Sequence, residues 1–174
     1  MEKNTKVSLR SEVTASDAEK MIGWLQDNDV TKFLNEDSAM IQTLRQIISG
    51  PNSAMLTYYL NQNGRFFLID AVTDSCLGFI KLTPVKGQTE YEVVIAIGDT
   101  AKWHQGYGFS ALTCLLSLVF FKWRIGKLIA KICPANKNSL TLFEKAGFTK
   151  VDETTRYYHY EITFDNYLRL KSSE

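Results

Sequence analysis

The chain has 174 residues, 45% of them hydrophobic and 22% charged, the size and composition of one globular domain with a real core. A net charge of +1 gives no reason to expect nucleic acid or an anionic membrane as partner. The three cysteines, Cys76, Cys114 and Cys133, are widely spaced and fit reduced thiols of a cytoplasmic protein, and no CxxC or His-Cys cluster suggests a metal.

The opening MEKNTKVSLRSEV lacks the apolar stretch of a signal peptide, and VSLRSEV (7–13) alternates as a first strand would. Ser16-Asp17-Ala18-Glu19 reads as a capping box for a helix carrying Met21, Ile22, Trp24 and Leu25. A second helix is expected from Ser38 to Ile48, ended by Gly50-Pro51, and a short third one from Met55 to Leu60. Two strands, 65–72 and 76–85, are joined by the hairpin-length Thr73-Asp74-Ser75. After Lys86-Gly87-Gln88 comes YEVVIAIGD (91–99), apolar on both faces as a central strand is.

The next helix is expected from Phe109 to Trp123. Its apolar run, Phe109 to Phe121, is broken by Ser110, Thr113 and Ser117 and is too short to span a bilayer. LIAKICP (128–134) reads as a buried strand, Ser139 to Ala146 as a helix stopped by Gly147, and FTKVDET and RYYHYEITF as closing strands. With no repeat or long linker, residues 1–174 read as a single α+β domain containing a β-helix-β unit.

KWHQGYGFSALT (102–113) links the central strand to that unit's helix. Two readings stand at this point: a cradle in which glycines bring a phosphate close to uncapped helical N–H groups, or only a tight turn. Gly106-Tyr107-Gly108-Phe109-Ser110-Ala111 satisfies the loose GxGxxA dinucleotide fingerprint, but no acidic residue follows about twenty positions on. No GK[ST] of a Walker loop is present either.

Three segments, EVVIAIGD with its loop W-H-Q-G-Y-G, NKNSLTLFEKAGF (136–148) and TASDAEKMIGWLQDNDVTKFL (14–34), together resemble the GNAT superfamily of acyl-CoA-dependent N-acetyltransferases. EVVIAIGD leads into W-H-Q-G-Y-G, similar to the family's pyrophosphate loop [RQ]-x-x-G-x-[GA], with Trp103 at the position usually held by Gln or Arg. Asn136 to Phe148, NKNSLTLFEKAGF, is similar to N-x-x-[SA]-x-x-L-[YF]-E-K-x-G-F. TASDAEKMIGWLQDNDVTKFL resembles the ribosomal-protein N-terminal acetyltransferase branch, where an aromatic residue at the Trp103 position is familiar.

The resemblance implies a GNAT-like fold, a central mixed, mostly antiparallel twisted sheet flanked by helices with a strand–pyrophosphate loop–helix unit. It implies direct transfer of an acetyl group from acetyl-CoA to a primary amine, with no metal. The pantetheine is expected along Val94, Ile95, Ala96 and Ile97, and the pyrophosphate on the loop of Trp103, His104, Gln105, Gly106, Tyr107, Gly108 and Phe109. Asn136, Ser139 and Phe143 are the remaining expected cofactor contacts, with a turn-capping role open for Asn136 and a core role for Phe143.

Glu92 is the expected catalytic base, with a substrate anchor or a plain strand-end charge as its other readings. Glu90 competes from the same strand face. Phe143 stands where many relatives carry a tyrosine that protonates the leaving sulfur, so no catalytic acid is assigned. His159 could line the acceptor cleft or simply pack in its strand. Expected partners are acetyl-CoA and an amine, a protein or peptide N-terminus or a small amine. The exposed C-terminal hairpin could support a homodimer. The alternative function is a GNAT-like module that binds CoA or a partner without catalysis.

Overall fold

The computed structural model describes residues 6–34, 38–72, 76–87 and 89–173; the expected turn at Thr73-Asp74-Ser75, Gln88, and the first five residues lie outside these. Strand β1 (Val7–Arg10) is shorter than the expected 7–13. It is followed by helices α1 (Ala15–Gln26), α2 (Asn28–Thr31), α3 (Ser38–Ser49) and α4 (Met55–Leu60). Strands β2 (Arg65–Ala71), β3 (Cys76–Lys86) and β4 (Glu90–Ile97) come next. Helix α5 (Tyr107–Ser117) leads to β5 (Lys127–Ile132) and α6 (Lys137–Lys145). Strands β6 (Thr149–Glu153) and β7 (Tyr158–Thr163) and helix α7 (Phe164–Ser172) complete the order.

The strands form one seven-stranded sheet in the order β1-β2-β3-β4-β5-β7-β6. Every neighbouring pair is antiparallel except β4 and β5, which are parallel and joined through α5. This is the α+β architecture with the β-helix-β unit that the sequence implied, and β4 takes the central place expected of YEVVIAIGD. Helix α5 begins two residues earlier than expected and gives way after Ser117 to a π turn, Leu118–Lys122. Helix α7 was not expected; it starts on the residue after β7, with Thr163 as its N-cap.

Each face of the sheet has its own core. Phe66, Leu68, Phe79 and Ala96 pack with Met21 and Leu25 of α1, Leu44 of α3 and Leu56 of α4. On the other face, Phe67, Ile69, Ile80, Tyr91, Val93 and Leu128 pack with Leu112, Leu115 and Leu116 of α5 and with Phe143 and Tyr167. Because successive strand residues point to opposite faces, β2 buries both sets, which is why RFFLIDA is nearly continuous in apolar character. No helix among the described residues is long and apolar enough to cross a membrane.

The capping box of α1 lies two residues before the expected one. Thr14 is the N-cap: its hydroxyl accepts from the Asp17 N–H (3.2 Å), and Asp17 accepts from the Thr14 N–H (2.9 Å). Both Thr14-x-x-Asp17 and Ser16-x-x-Glu19 fit the pattern, and Arg10 decides between them. Its guanidinium donates to Asp17 (2.9 Å) and to Asp70 (2.7 Å), tying β1, α1 and β2 together.

Burial alone would raise the Asp17 carboxyl, but hydrogen bonds from Arg10 and Thr14 bring it down to about 2. A carboxylate with a depressed folded-state pKa contributes stability above its unfolded value and loses it as pH falls through the folded one. The expected loss is therefore about 2 kcal/mol between pH 4 and pH 2. Acid titration of urea-unfolding midpoints checks this, and Arg10→Gln should flatten that part of the profile.

Candidate active site

Strands β4 and β5 pair only at Glu90–Lys127, Tyr91–Leu128 and Glu92–Ile129. Beyond that point β5 continues against β7, through Ala130–Tyr160, Lys131–His159 and Ile132–Tyr158, while β4 stays with β3. From Val93 to Ile97, β4 has no strand on its β5 side among the described residues. Backbone donors and acceptors along such an edge can be satisfied by an extended ligand lying in the gap.

A cleft of about 600 Å³ opens at this splay. Ile95, Ala96 and Ile97 form part of its wall, and Val30, Phe33 and Leu34 flank it from the α2 region. Trp103, His104, Gly106, Tyr107, Gly108 and Phe109 line its loop end, and Asn136, Ser139 and Leu142 line it from α6. Most of the expected site residues therefore converge on one cavity. Glu92, Val94, Gln105 and Phe143 do not line it.

The loop end presents the features that an anion site needs. Gly106 is the N-cap of α5 at φ +83°, a left-handed conformation natural to glycine, and no side chain caps the helix. The first intrahelical bond runs from the Ser110 N–H to the Gly106 carbonyl (3.0 Å), so the N–H groups before Ser110 have no partner in the preceding turn. A Cβ at Gly108 would meet only Leu142 side-chain atoms at 3.5 Å and Ile97 at 3.8 Å. The two glycines thus differ: Gly106 is required by its backbone, whereas Gly108 keeps space open beside the helix end.

Trp103, the unusual residue of the loop, has a structural reason. Its indole N–H donates to the Ile97 carbonyl (2.7 Å), pinning the loop to the last residue of β4. On the other side of the strand end, a Cβ at Gly98 would fall 2.0 Å from the Trp24 ring, so only glycine lets α1 pack there. Trp103→Phe keeps the ring but loses the bond. It is expected to cost about 1 kcal/mol of stability and to weaken coenzyme A binding several-fold, measurable by thermal unfolding and calorimetry.

Asn136 takes the capping role left open for it and also lines the cleft. Its side-chain oxygen caps α6 by accepting from the Ser139 N–H (3.2 Å). Phe143 is 3% exposed and packs edge-to-face on Phe148 with centroids 4.9 Å apart, so its place is the core. Glu144 of the same segment accepts from the Tyr160 hydroxyl (2.6 Å), and this bond, with burial, pushes the phenol up to about 12.

The cleft also draws in cations to which the sequence assigned no role. Lys32, Lys102 and Lys145 line it, with Asp29 the acidic residue on its rim. The Lys145 ammonium lies 4.6 Å from the Phe109 ring centroid. Lys6 donates to the Gln105 carbonyl (2.9 Å), bringing another positive charge to the loop from the start of the sheet. Lys145 stands in the quoted E-K-x-G-F segment and could have been flagged there. Lys6 is separated from the loop by most of the domain's sequence and could not.

Glu92 stands at the last β4–β5 pair, at the vertex of the splay. It alternates with Val94 and Ala96 on the face of the α1–α4 core, and its carboxylate accepts from Lys131 Nζ (2.7 Å). Glu90 lies deeper in the paired region and is tied to Lys127 (3.7 Å). His159 sits across from Lys131 in the β5–β7 ladder and does not line the cleft. Burial raises the Cys76 thiol to about 11 and also raises Cys114, so neither is set up as a thiolate nucleophile.

A family model described as Acetyltransferase (GNAT) domain matches residues 7–149. An N-acetyltransferase 9-like protein of Nematostella vectensis is 33% identical over 75 residues, 43% of this chain and 38% of that relative's length. The match thus spans well under half of the relative. A GNAT-family acetyltransferase of Bacillus anthracis superposes with a TM-score of 0.72 at 19% identity, over 92% of this chain and 96% of that one. Spermidine N-acetyltransferase of Vibrio cholerae, solved with CoA and spermine, gives 0.76 at 16% identity over 95% and 99%. An aminoglycoside acetyltransferase solved with coenzyme A and kanamycin gives 0.76 at 15% over 95% and 99%. At these identities the structural likeness is one of fold, and the family model carries the assignment: the chain belongs to the GNAT acetyltransferase family.

Proposed function

We propose that the protein transfers an acetyl group from acetyl-CoA directly to a primary amine. The observation that carries this reading is the continuity of the splayed β4 edge with the uncapped start of α5 inside one cleft. The residues fit the cosubstrate. Apart from the Ile97 carbonyl, which Trp103 holds, Val94 to Ile97 offer the pantetheine amides a strand edge that β5 does not pair, and the Asn136 side chain offers a polar group at the same cleft. The N–H groups of Tyr107, Gly108 and Phe109 offer the pyrophosphate a helix N-terminus. Lys102 and Lys145 add positive charge for the remaining phosphate.

Acetyl-CoA supplies an acyl carbon activated as a thioester. The chain's part is to hold the amine nitrogen against that carbon, accept its proton and screen the oxygen's developing charge. Glu92 at the vertex takes the proton, directly or through one water, as the C–N bond forms and the C–S bond breaks. A backbone N–H of the unpaired β4 edge supports the carbonyl oxygen. With Phe143 in the core, the thiolate leaves toward water and the hydroxyls at the cleft wall.

The acceptor is a protein or peptide N-terminus or a small amine. Solved neighbours bind spermine and kanamycin, which supports including polyamines and aminoglycosides among the trial acceptors. Mass spectrometry of products formed with acetyl-CoA and a panel of peptides, spermidine and kanamycin tests the reading. A mass gain of one acetyl group on any amine supports it. No product with any of them, despite coenzyme A binding, would leave the second reading, a non-catalytic CoA-binding module, which the core position of Phe143 favours.

A further inference from the structure

Two lysines of β5 face the carboxylates of β4, and they are held differently. Lys127 lies in the paired region between two acceptors, Glu90 at 3.7 Å and Glu161 at 3.3 Å, with its side chain 27% exposed. That is a tie between three strands. Lys131 lies beyond the last β4–β5 pair, where β5 has left β4 and pairs with β7 alone. Its ammonium reaches back across the opening to Glu92 at 2.7 Å, its one carboxylate among the described residues, and its side chain is 42% exposed.

We propose that Lys131 is an internal stand-in for the acceptor. Its ammonium occupies the place beside Glu92 that a protonated substrate amine takes, and each acceptor binds by displacing it. This rests on the reading of Glu92 as the group that receives the amine.

The exchange is physically reasonable because the pair is easily opened. An exposed lysine on a flexible stem holds a carboxylate only about two- to fivefold against water and salt. The carboxylate is the less exposed partner, at 25%, and remains in place when the lysine swings out. One cation leaves as another arrives, so Glu92 keeps a positive partner throughout. Lys131 is thus a positioning and specificity-determining residue. It favours amines that arrive as cations, such as polyamines and aminoglycosides, over amines that are neutral at the working pH. A peptide N-terminus, with an ordinary pKa near 8, meets that requirement only in part.

The test is calorimetric titration of spermidine into the coenzyme A-loaded protein, for wild type, Lys131→Met, Lys131→Arg, Glu92→Gln and the Lys131→Met/Glu92→Gln pair. Lys131→Met should bind spermidine about two- to fivefold more tightly. Lys131→Arg should match wild type, and Glu92→Gln should bind more weakly. In the Glu92→Gln background, Lys131→Met should change nothing further. Unchanged or weaker binding in Lys131→Met overturns the proposal. So does tightening that persists with Gln at position 92, which would be a general charge effect, or an absence of spermidine binding in every variant. Acetyl transfer to the amine panel is read separately, so the proposal can fail while that function stands.

Discussion

Glu92→Gln is expected to lower the rate of acetyl transfer by about two to three orders of magnitude while leaving acetyl-CoA binding unchanged. The size follows from the role, since a positioned base contributes about 10²–10⁴-fold. The separation follows from the geometry. Glu92 sits at the vertex of the β4–β5 splay and does not line the wall that holds the loop residues, whereas α5's helix end is reached only farther along β4. Glutamine keeps the shape and loses the proton acceptor and the negative charge that pairs with Lys131, an exposed pair worth no more than about 1 kcal/mol. Steady-state rates over the amine panel, paired with thermal shifts on acetyl-CoA, provide the check. Glu90→Gln should stay within about twofold of wild type, because Glu90 lies inside the paired β4–β5 stretch, two residues short of the opening. A Glu92→Gln enzyme with a raised KM and normal kcat would make the carboxylate an anchor. Full activity would reduce it to a strand-end charge.

Local signals in the sequence carried the fold a long way. Alternation and apolar runs placed the strands, Gly147 marked the end of α6, where it takes φ +97°, and the valine-isoleucine run of β4 marked the centre of the sheet. Local signals also explain the errors. Two overlapping capping patterns lie at the start of α1, and the one observed has its Asp17 held by Arg10, which the far-off Asp70 also grips. Helix α7 begins with no loop after β7, so its first residue, Phe164, read as the end of the strand. The site was legible where it depends on motifs that stay local, as with Gly106, Gly108 and Asn136. It was not legible where strands from far apart must first come together. The opening between β4 and β5, the cation Lys6 and the Lys131–Glu92 pair belong to that second group.

The loop itself is tested most directly by removing its ability to accept an anion. A ligand at 100 to 1,000 times its Kd stabilises a folded protein by about 2.7–4.1 kcal/mol. For a chain of this size that is a rise in melting temperature of roughly 5–16 °C. Gly106→Glu should abolish the rise with acetyl-CoA, but Gly106 is at φ +83° and a glutamate there is also strained. Further variants separate charge from strain and from size. Gly106→Asn, which tolerates a left-handed backbone and keeps the N–H, should retain much of the shift. Gly108 has no such backbone constraint, and an added Cβ meets only ordinary contacts, so Gly108→Ala should fold at least as stably as the parent. Gly108→Glu should fold as well, yet lose the shift, because its carboxylate would stand beside the helix end where the pyrophosphate is expected. If Gly108→Glu responds to acetyl-CoA like the parent, the loop is only a tight turn. If both glutamate variants lose the response while Gly106→Asn, Gly108→Ala and the equally large but uncharged Gly108→Gln keep it, repulsion of an anion is the cause, since Gly108→Gln matches Gly108→Glu in size and backbone.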